Sequence, residues 1–220
     1  MSVYNSPKRN GPRAPAGARG KQRRQELVEA AYCVLAEKGF EGLRTREVAE
    51  RVGINIATLH YYFPSKEALI SGVVEHLLQL LRQPQVSIPA TATAVERLRA
   101  EFADISIRVV KSPEQLKVLT ELAVRSWRDP SIARILSYLD AAWQSHLESI
   151  FRDGIKENSF RQDLDVKATA AAMMSQLRGL GYQKNLNASG LKTVVTLISQ
   201  QIERWVKPGD SQVGETKKRN

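Results

Sequence analysis

The sequence predicts an all-α chain: a small N-terminal three-helix unit with a helix-turn-helix, followed by a larger helical domain. Three observations carry this expectation. Apolar residues recur at helical spacing from Leu27 to Val206, with no sustained alternation of β type and no internal repeat. Helix starts and stops punctuate those runs, with Asn55, Ser65, Asp129-Pro130 and Asp165 as starts and Gly39, Gly53 and Pro64 as stops. The stretch 45–66, TREVAERVGINIATLHYYFPSK, divides into two short helices, a tight turn and the start of a third helix.

The elements follow in order. Residues 21–38 form the first helix, with Leu27, Ala30, Ala31, Val34 and Leu35 on one face and Gly39 at its end. Cys33 sits in it as a small packing residue, and a single cysteine excludes an internal disulfide. Phe40 and Leu43 pack the connection to Thr45. Thr45 suits the N-cap of the second helix, with Glu47 in its first turn, where the helix dipole favours an anion. Ala49 allows a close helix crossing, and Gly53 accepts the positive φ that ends this helix. Asn55 caps a third helix, 56–62, and Val48, Val52, Ile56, Leu59 and Phe63 make the shared apolar face. Pro64 stops it, because the residue before a proline is pushed out of helical geometry. Ser65 caps the next helix, 66–82, which turns Leu69, Val73, His76, Leu77 and Leu80 inward.

A Pro/Ser/Thr-rich break at 84–93 comes next. Helix 94–111 carries Leu98, Phe102, Ile105 and Val109 on one stripe. Ser112-Pro113-Glu114-Gln115 reads as a capping box with Pro at the first helical position, opening a helix to about Trp127. Asp129-Pro130 repeats the device for a long helix, 131–157. Asp165 caps 166–183, and after a polar loop at 185–190 the last helix runs 191–206. Residues 1–20 and 207–220 are polar and rich in Gly, Pro or charge, and are expected to be disordered.

The exposed side of helix 56–62 is informative. With Ile56, Leu59 and Phe63 buried, Ala57 and Tyr61 point most directly outward, flanked by Thr58 and His60, and Tyr62 lies at the edge. Such a face is poorly suited to bulk water and well suited to a DNA major groove, which admits an α-helix. Packing of Tyr61 and Tyr62 within an ordinary small helical domain is the plainer alternative. The run RTREVAERVGINIATLHYYFPSKEAL resembles the N-terminal signature of TetR-type transcriptional regulators, from Arg23 to about Leu77. The resemblance implies a helical homodimer, a DNA-binding domain at 21–66 and an effector-binding and dimerisation domain at 67–206. It also implies phosphate contacts from Thr45, Tyr62 and Lys66, and base-edge contacts from Asn55, Ala57, Thr58, His60 and Tyr61. Apart from its cap this helix has no Arg, Gln or Asn, so thymine methyls met by Ala57, Thr58 and Tyr61 are the expected targets. One hydrogen bond from His60 or Tyr61 is expected beside them.

Charge agrees with the motif. Through Lys66 there are twelve basic residues against six acidic ones, an electrostatic footprint for nucleic acid in the same segment. The basic arm 1–20 suits either a DNA backbone or groove, or a solubilising tail; its sequence leaves both open. No apolar run is long enough to cross a bilayer and no signal peptide opens the chain, so a cytoplasmic protein without membrane association is expected. His60, His76 and His146 have no partner at metal-ligand spacing. There is no Gly-x-Ser-x-Gly elbow, phosphate-cradling glycine loop or His-Glu-x-x-His, so an enzyme, a cofactor and a metal are not expected.

The last two helices combine small residues around Ala171 with a broad apolar stripe of Leu191, Val195, Ile198, Ile202 and Trp205. A four-helix bundle across a two-fold axis would bury both, and so would closure of the monomer core; the resemblance favours the dimer. The resemblance also implies an effector pocket, for which Phe102, Trp127, Tyr138, Trp143, His146, Met173, Met174, Gln176, Arg178 and Tyr182 are the candidates. Arg178 and His146 beside aromatic walls suit an apolar or aromatic acid. The sequence therefore reads as a DNA-binding regulator, a ligand-responsive repressor on a palindromic double-stranded operator. An effector-independent architectural DNA-binding dimer is the alternative.

Overall fold

The computed structural model describes residues 16–183 and 185–209. Among them there is no strand. The helices are α1 (Ala16–Gly42), α2 (Thr45–Val52), α3 (Ile56–Tyr62), α4 (Lys66–Arg82) and α5 (Ala94–Lys111), then α6 (Pro113–Ser126), α7 (Pro130–Lys156), α8 (Val166–Gly179) and α9 (Ala188–Val206). A single 3₁₀ turn, Leu180–Tyr182, follows α8. Most of the expected disordered arm and tail, 1–15 and 210–220, lies outside the described residues. Residues 16–20, assigned above to the arm, belong to α1.

Local capping sets most helix starts. Asn55 Oδ1 accepts from the Thr58 N–H at 2.7 Å and Ser65 Oγ from the Ala68 N–H at 3.2 Å. Asp129 and Asp165 cap α7 and α8 in the same way. Accordingly α3, α4 and α5 have the bounds expected from sequence. Asn187 accepts from the Gly190 N–H at 2.9 Å, which starts α9 earlier than expected. Two expected caps are corrected. Thr45 is the first residue of α2, and Arg44 occupies the cap position without a side-chain bond. Ser112 makes no side-chain cap bond either: the Gln115 N–H goes to the Ser112 carbonyl at 3.0 Å, and the Gln115 side chain accepts from Arg108 at 3.0 Å instead of reaching back. A full capping box stands at Thr93 and Glu96.

Two glycines carry the turns of the N-terminal unit. Gly53, at φ 70°, ends α2, and its N–H bonds the Ala49 and Glu50 carbonyls. Gly39, at φ 69° and ψ −177°, interrupts α1 and swings Phe40 towards α6. There the Phe40 N–H donates to Glu121 at 2.9 Å, and the Arg125 guanidinium lies 4.6 Å from the Phe40 ring centroid. Lys66 sits near the same ring, 5.1 Å from its centroid, and donates to the Phe40 carbonyl at 3.4 Å.

Two cores organise the chain. The first joins Leu27, Leu35, Val48, Leu59, Phe63, Leu69 and Leu77 to Val118 and Leu122 of α6 and Ile132 and Leu136 of α7. At about 2 kcal/mol for each fully buried Leu or Phe, the small unit depends on helices far along the chain. The expected boundary at 66/67 thus falls inside a continuous core. The second core gathers Leu98, Phe102, Leu147, Phe151, Met173, Leu177, Val195 and Ile202 from α5, α7, α8 and α9. Leu191, Val195, Ile198 and Ile202 are buried in it, closing the subunit itself rather than facing outward. Ile56, expected in the shared face of the motif, is 37% exposed, whereas Leu59 one turn on is fully buried. Cys33 is exposed and does not pack.

Candidate functional site

The outward face of α3 has the composition its sequence implies. Tyr61 is 82% exposed, and its ring meets Tyr62 edge to face at 5.2 Å. Ala57 and His60 are exposed, while Thr58 and Tyr62 are half-buried. Asn55 Oδ1 takes both the N–H and the hydroxyl of Thr58, at 2.7 and 2.9 Å. That pairing occupies the Asn55 oxygen and the Thr58 hydroxyl proton, leaving the Thr58 methyl and the Asn55 amide nitrogen for a ligand. Thr45 is half-buried at the start of α2 and Lys66 half-buried at the start of α4, so both flank α3. The Lys66 ammonium is turned inward to Phe40, and a phosphate contact requires it to swing out.

An ion network fixes α2 on α1. Arg51 bonds Glu37 at 2.5 Å and Glu47 at 3.1 Å, and Lys38 bonds Glu47 at 2.7 Å. The Arg51 bond holds the Glu37 carboxyl below its ordinary range, and Lys38 followed by Arg51 does the same for Glu47. Those cations are spent. Arg44 and Arg46 are exposed beside Thr45 with no ion pair among the described residues, and sequence reasoning gave them no role. Two adjacent arginines at the start of a motif helix were the available signal.

A cavity of about 990 Å³ opens in the second domain among α5, α6, α7 and the end of α8, and reaches the loop after α4. Of the ten candidates, Trp127, Trp143, His146, Arg178 and Tyr182 line it. Phe102, Met173 and Met174 do not, being buried in the second core, where their apolar surface is covered by α7 and α9 neighbours. Phe102 borders instead a smaller recess of about 200 Å³ between α5 and α9. Tyr138 is 66% exposed on α7 and Gln176 lies on α8, both away from the lining. The walls are supplied by Leu116, Leu119, Leu136, Leu177 and Leu180, with Glu101, Asp104, Arg108 and Asp140 as polar groups that sequence reasoning missed. The Asp104/Arg108 spacing of four on one helix was legible; that the pair faces a cavity was not.

Those polar groups are tightly engaged. Trp143 Nε1 donates to Glu101 at 2.7 Å, and His146 Nε2 lies 3.4 Å from the other Glu101 oxygen. Arg108 Nε bonds Asp104 at 2.5 Å, and the same guanidinium donates to the carbonyls of Leu80, Leu81 and Gln83 at the end of α4. Arg178 pairs with Asp140, and burial pulls its guanidinium below its ordinary range.

An outward-facing second helix of a helix-turn-helix, flanked by free arginines and joined by α4 to a domain with its own cavity, defines a DNA-binding regulator of transcription. Family comparison gives the particular group. Residues 27–73 match the bacterial regulatory proteins of the tetR family, and residues 94–207 match the C-terminal domain of BetI-type transcriptional repressors. The chain belongs to the TetR family. It is 28% identical over 148 residues to the HTH-type transcriptional repressor KstR2 of Mycobacterium tuberculosis, a match covering 66% of this chain and 72% of that protein. Its fold is shared with a TetR transcriptional regulator from Chloroflexus aurantiacus (TM-score 0.76, 16% identity, 86% of this chain and 98% of that one). It is shared also with a Saccharomonospora viridis regulator in complex with choline (TM-score 0.72, 21% identity, 82% and 96%). Relatives of this chain are regulators, and no described helix is long and apolar enough to cross a membrane.

Proposed function

We propose that the protein is a repressor that binds a palindromic operator as a homodimer and is released by a small molecule held in the 990 Å³ cavity. The observation that carries the ligand-responsive reading is the link between cavity and DNA-binding unit. Arg108 lines the cavity and grips the last turn of α4, whose first residue, Lys66, is joined to α3 by the short turn Phe63-Pro64-Ser65. Leu119, Thr120 and Ala123 of α6 line the cavity too, while Glu121 and Arg125 of α6 hold Phe40. A ligand that shifts α5 or α6 therefore acts on both ends of the reading unit. An effector-independent architectural dimer has no use for such a cavity.

Ala57, Thr58, His60 and Tyr61, with the Asn55 amide, read base edges in this proposal. Tyr62, Thr45 and Lys66 contact phosphates, joined by Arg44 and Arg46. The dimer forms through the outer face of α8 and α9, where Ala171 is exposed, Leu197 is 59% exposed and Trp205 is 41% exposed. Apolar side chains of that size standing proud of an otherwise well-packed helix suit a partner helix pair. Two copies of α3 about 34–36 Å apart then enter successive major grooves.

Binding-site selection on the purified chain, with sedimentation analysis of its mass, tests the reading. The expected result is a dimer enriching an inverted repeat. A monomer, or equal affinity for random and selected duplexes at moderate salt, refutes it.

A further inference from the structure

We propose that Tyr62 is a positioning residue for base reading: its ring, seated on the first core, holds the ring of Tyr61 in the one orientation that meets the operator bases. The inference rests on the reading of α3 as the recognition helix and adds a division of labour between its two tyrosines.

The two rings stand in different surroundings. Tyr62 is half-buried and packs against the cluster that contains Leu59 and Phe63. Tyr61 is 82% exposed. Their ring centroids lie 5.2 Å apart with 85° between the planes. This is the edge-to-face arrangement that ring quadrupoles favour, and it adds to the simple burial of surface. Among the described residues Tyr61 has no other aromatic or hydrogen-bonding partner. One ring is anchored in the domain, and the other is anchored through it.

Stiffness decides what such a ring can read. On a helix a tyrosine has two ordinary χ1 wells, so an unsupported Tyr61 divides its time between two directions. Binding DNA then costs the entropy of choosing one of them. A loose ring also turns aside from a mismatched base at little penalty, so it adds contact without discrimination. A ring held from behind either fits the base edge or loses the contact. Thr58 is held in a comparable way, since its hydroxyl donates to Asn55 at 2.9 Å. Ala57 has no rotamer to lose. Ala57, Thr58 and Tyr61 are thus set before DNA arrives, and Tyr62 is what sets the largest of them.

The hydroxyl and the ring of Tyr62 have separable roles. A phosphate contact uses the hydroxyl and carries no sequence information. Support of Tyr61 uses the ring and acts on sequence preference. Tyr62→Phe removes the first and keeps the second, whereas Tyr62→Leu removes both.

The test uses the full chain and competition titrations with duplexes that vary the operator position whose preference Tyr61→Ala abolishes. Tyr62→Phe is expected to weaken all duplexes alike and to keep that preference. Tyr62→Leu is expected to cut the preference about two- to tenfold, the range an edge-to-face pair supports. In a Tyr61→Ala background, Tyr62→Leu is expected to change the preference no further. Tyr62→Met is the second ring-free variant, and circular dichroism checks that each variant keeps its helices. A fluorine label on the Tyr61 ring gives a readout that needs no operator: faster local motion is expected in Tyr62→Leu than in Tyr62→Phe. Full preference in both ring-free variants, its loss in Tyr62→Phe, or equal ring motion in Leu and Phe variants overturns the proposal and leaves the regulator intact. An unaltered consensus for Tyr61→Ala removes Tyr61 as a reader and the proposal with it. A native chain that selects no sequence removes the regulatory reading itself.

Discussion

Replacing Arg108 by Met tests how the cavity is tied to α4. The Arg108 side chain is 12% exposed and that of Asp104 19%, and Gln115 is buried. Methionine fills similar space but removes five hydrogen bonds. The carbonyls of Leu80, Leu81 and Gln83 lie at the end of α4, where water can replace the lost donors, so their loss costs little. Gln115 Oε1 and the Asp104 carboxylate are the groups left stranded, each costing about 1–3 kcal/mol when desolvated and unpaired. Partial exposure of Asp104 lowers its share, and the two losses overlap because one guanidinium serves both. The expected destabilisation is about 3 kcal/mol, or about 6–12 °C in Tm for a chain of this size. Differential scanning calorimetry measures it directly. Arg108→Lys keeps the charge but not the fork, and is expected to recover less than half. Should Arg108→Met melt within about 2 °C of the native chain, or Lys restore it fully, the argument that this guanidinium latches α4 to α5 and α6 is wrong.

Four further outcomes are expected. Asn55→Ala removes the α3 cap and its bond to the Thr58 hydroxyl, and should cost about 1 kcal/mol by denaturant titration; no change in midpoint would mean that tertiary contacts alone hold α3. Tyr61→Ala should alter the selected operator sequence, and an unchanged consensus removes Tyr61 from base reading. Lys66→Ala should weaken all duplexes about equally and reduce the salt slope by roughly one unit, whereas altered base preference contradicts a phosphate role. Leu197→Asp, on the open face of α9, should shift sedimentation from dimer to monomer with helicity retained; a persistent dimer places the interface elsewhere.

The parts legible in the sequence are those governed by neighbours within about four positions. The bounds of α3 and α4 followed from Asn55 and Ser65, because a cap is a bond between a side chain and an N–H two or three residues on, and α5 began where the Pro/Ser/Thr-rich break ends, although its Thr93 cap had not been read. The same rule failed at Ser112, whose carbonyl rather than hydroxyl takes the Gln115 N–H, while the Gln115 side chain serves Arg108 on the preceding helix. It failed also for the α9 stripe. Periodicity marked Leu191, Val195, Ile198 and Ile202 as buried without saying against what, and α5 and α8 turned out to cover them. Three of the cavity candidates missed for a related reason: an aromatic or methionine fills a core as readily as it lines a space, as Phe102, Met173 and Met174 do.

By itself, then, the amino-acid order determined the helical class, the helix-turn-helix and the outward face of α3, since each depends on spacing along one helix and on turn chemistry next to it. Only the tertiary structure decided that α6 and α7 complete the N-terminal core, that Phe40 is clasped by Glu121 and Arg125, and that Glu101 meets Trp143 and Asp140 meets Arg178 at the cavity wall. Those properties depend on groups separated by tens of residues. Their meeting is fixed by the packing of whole helices, which no local pattern records.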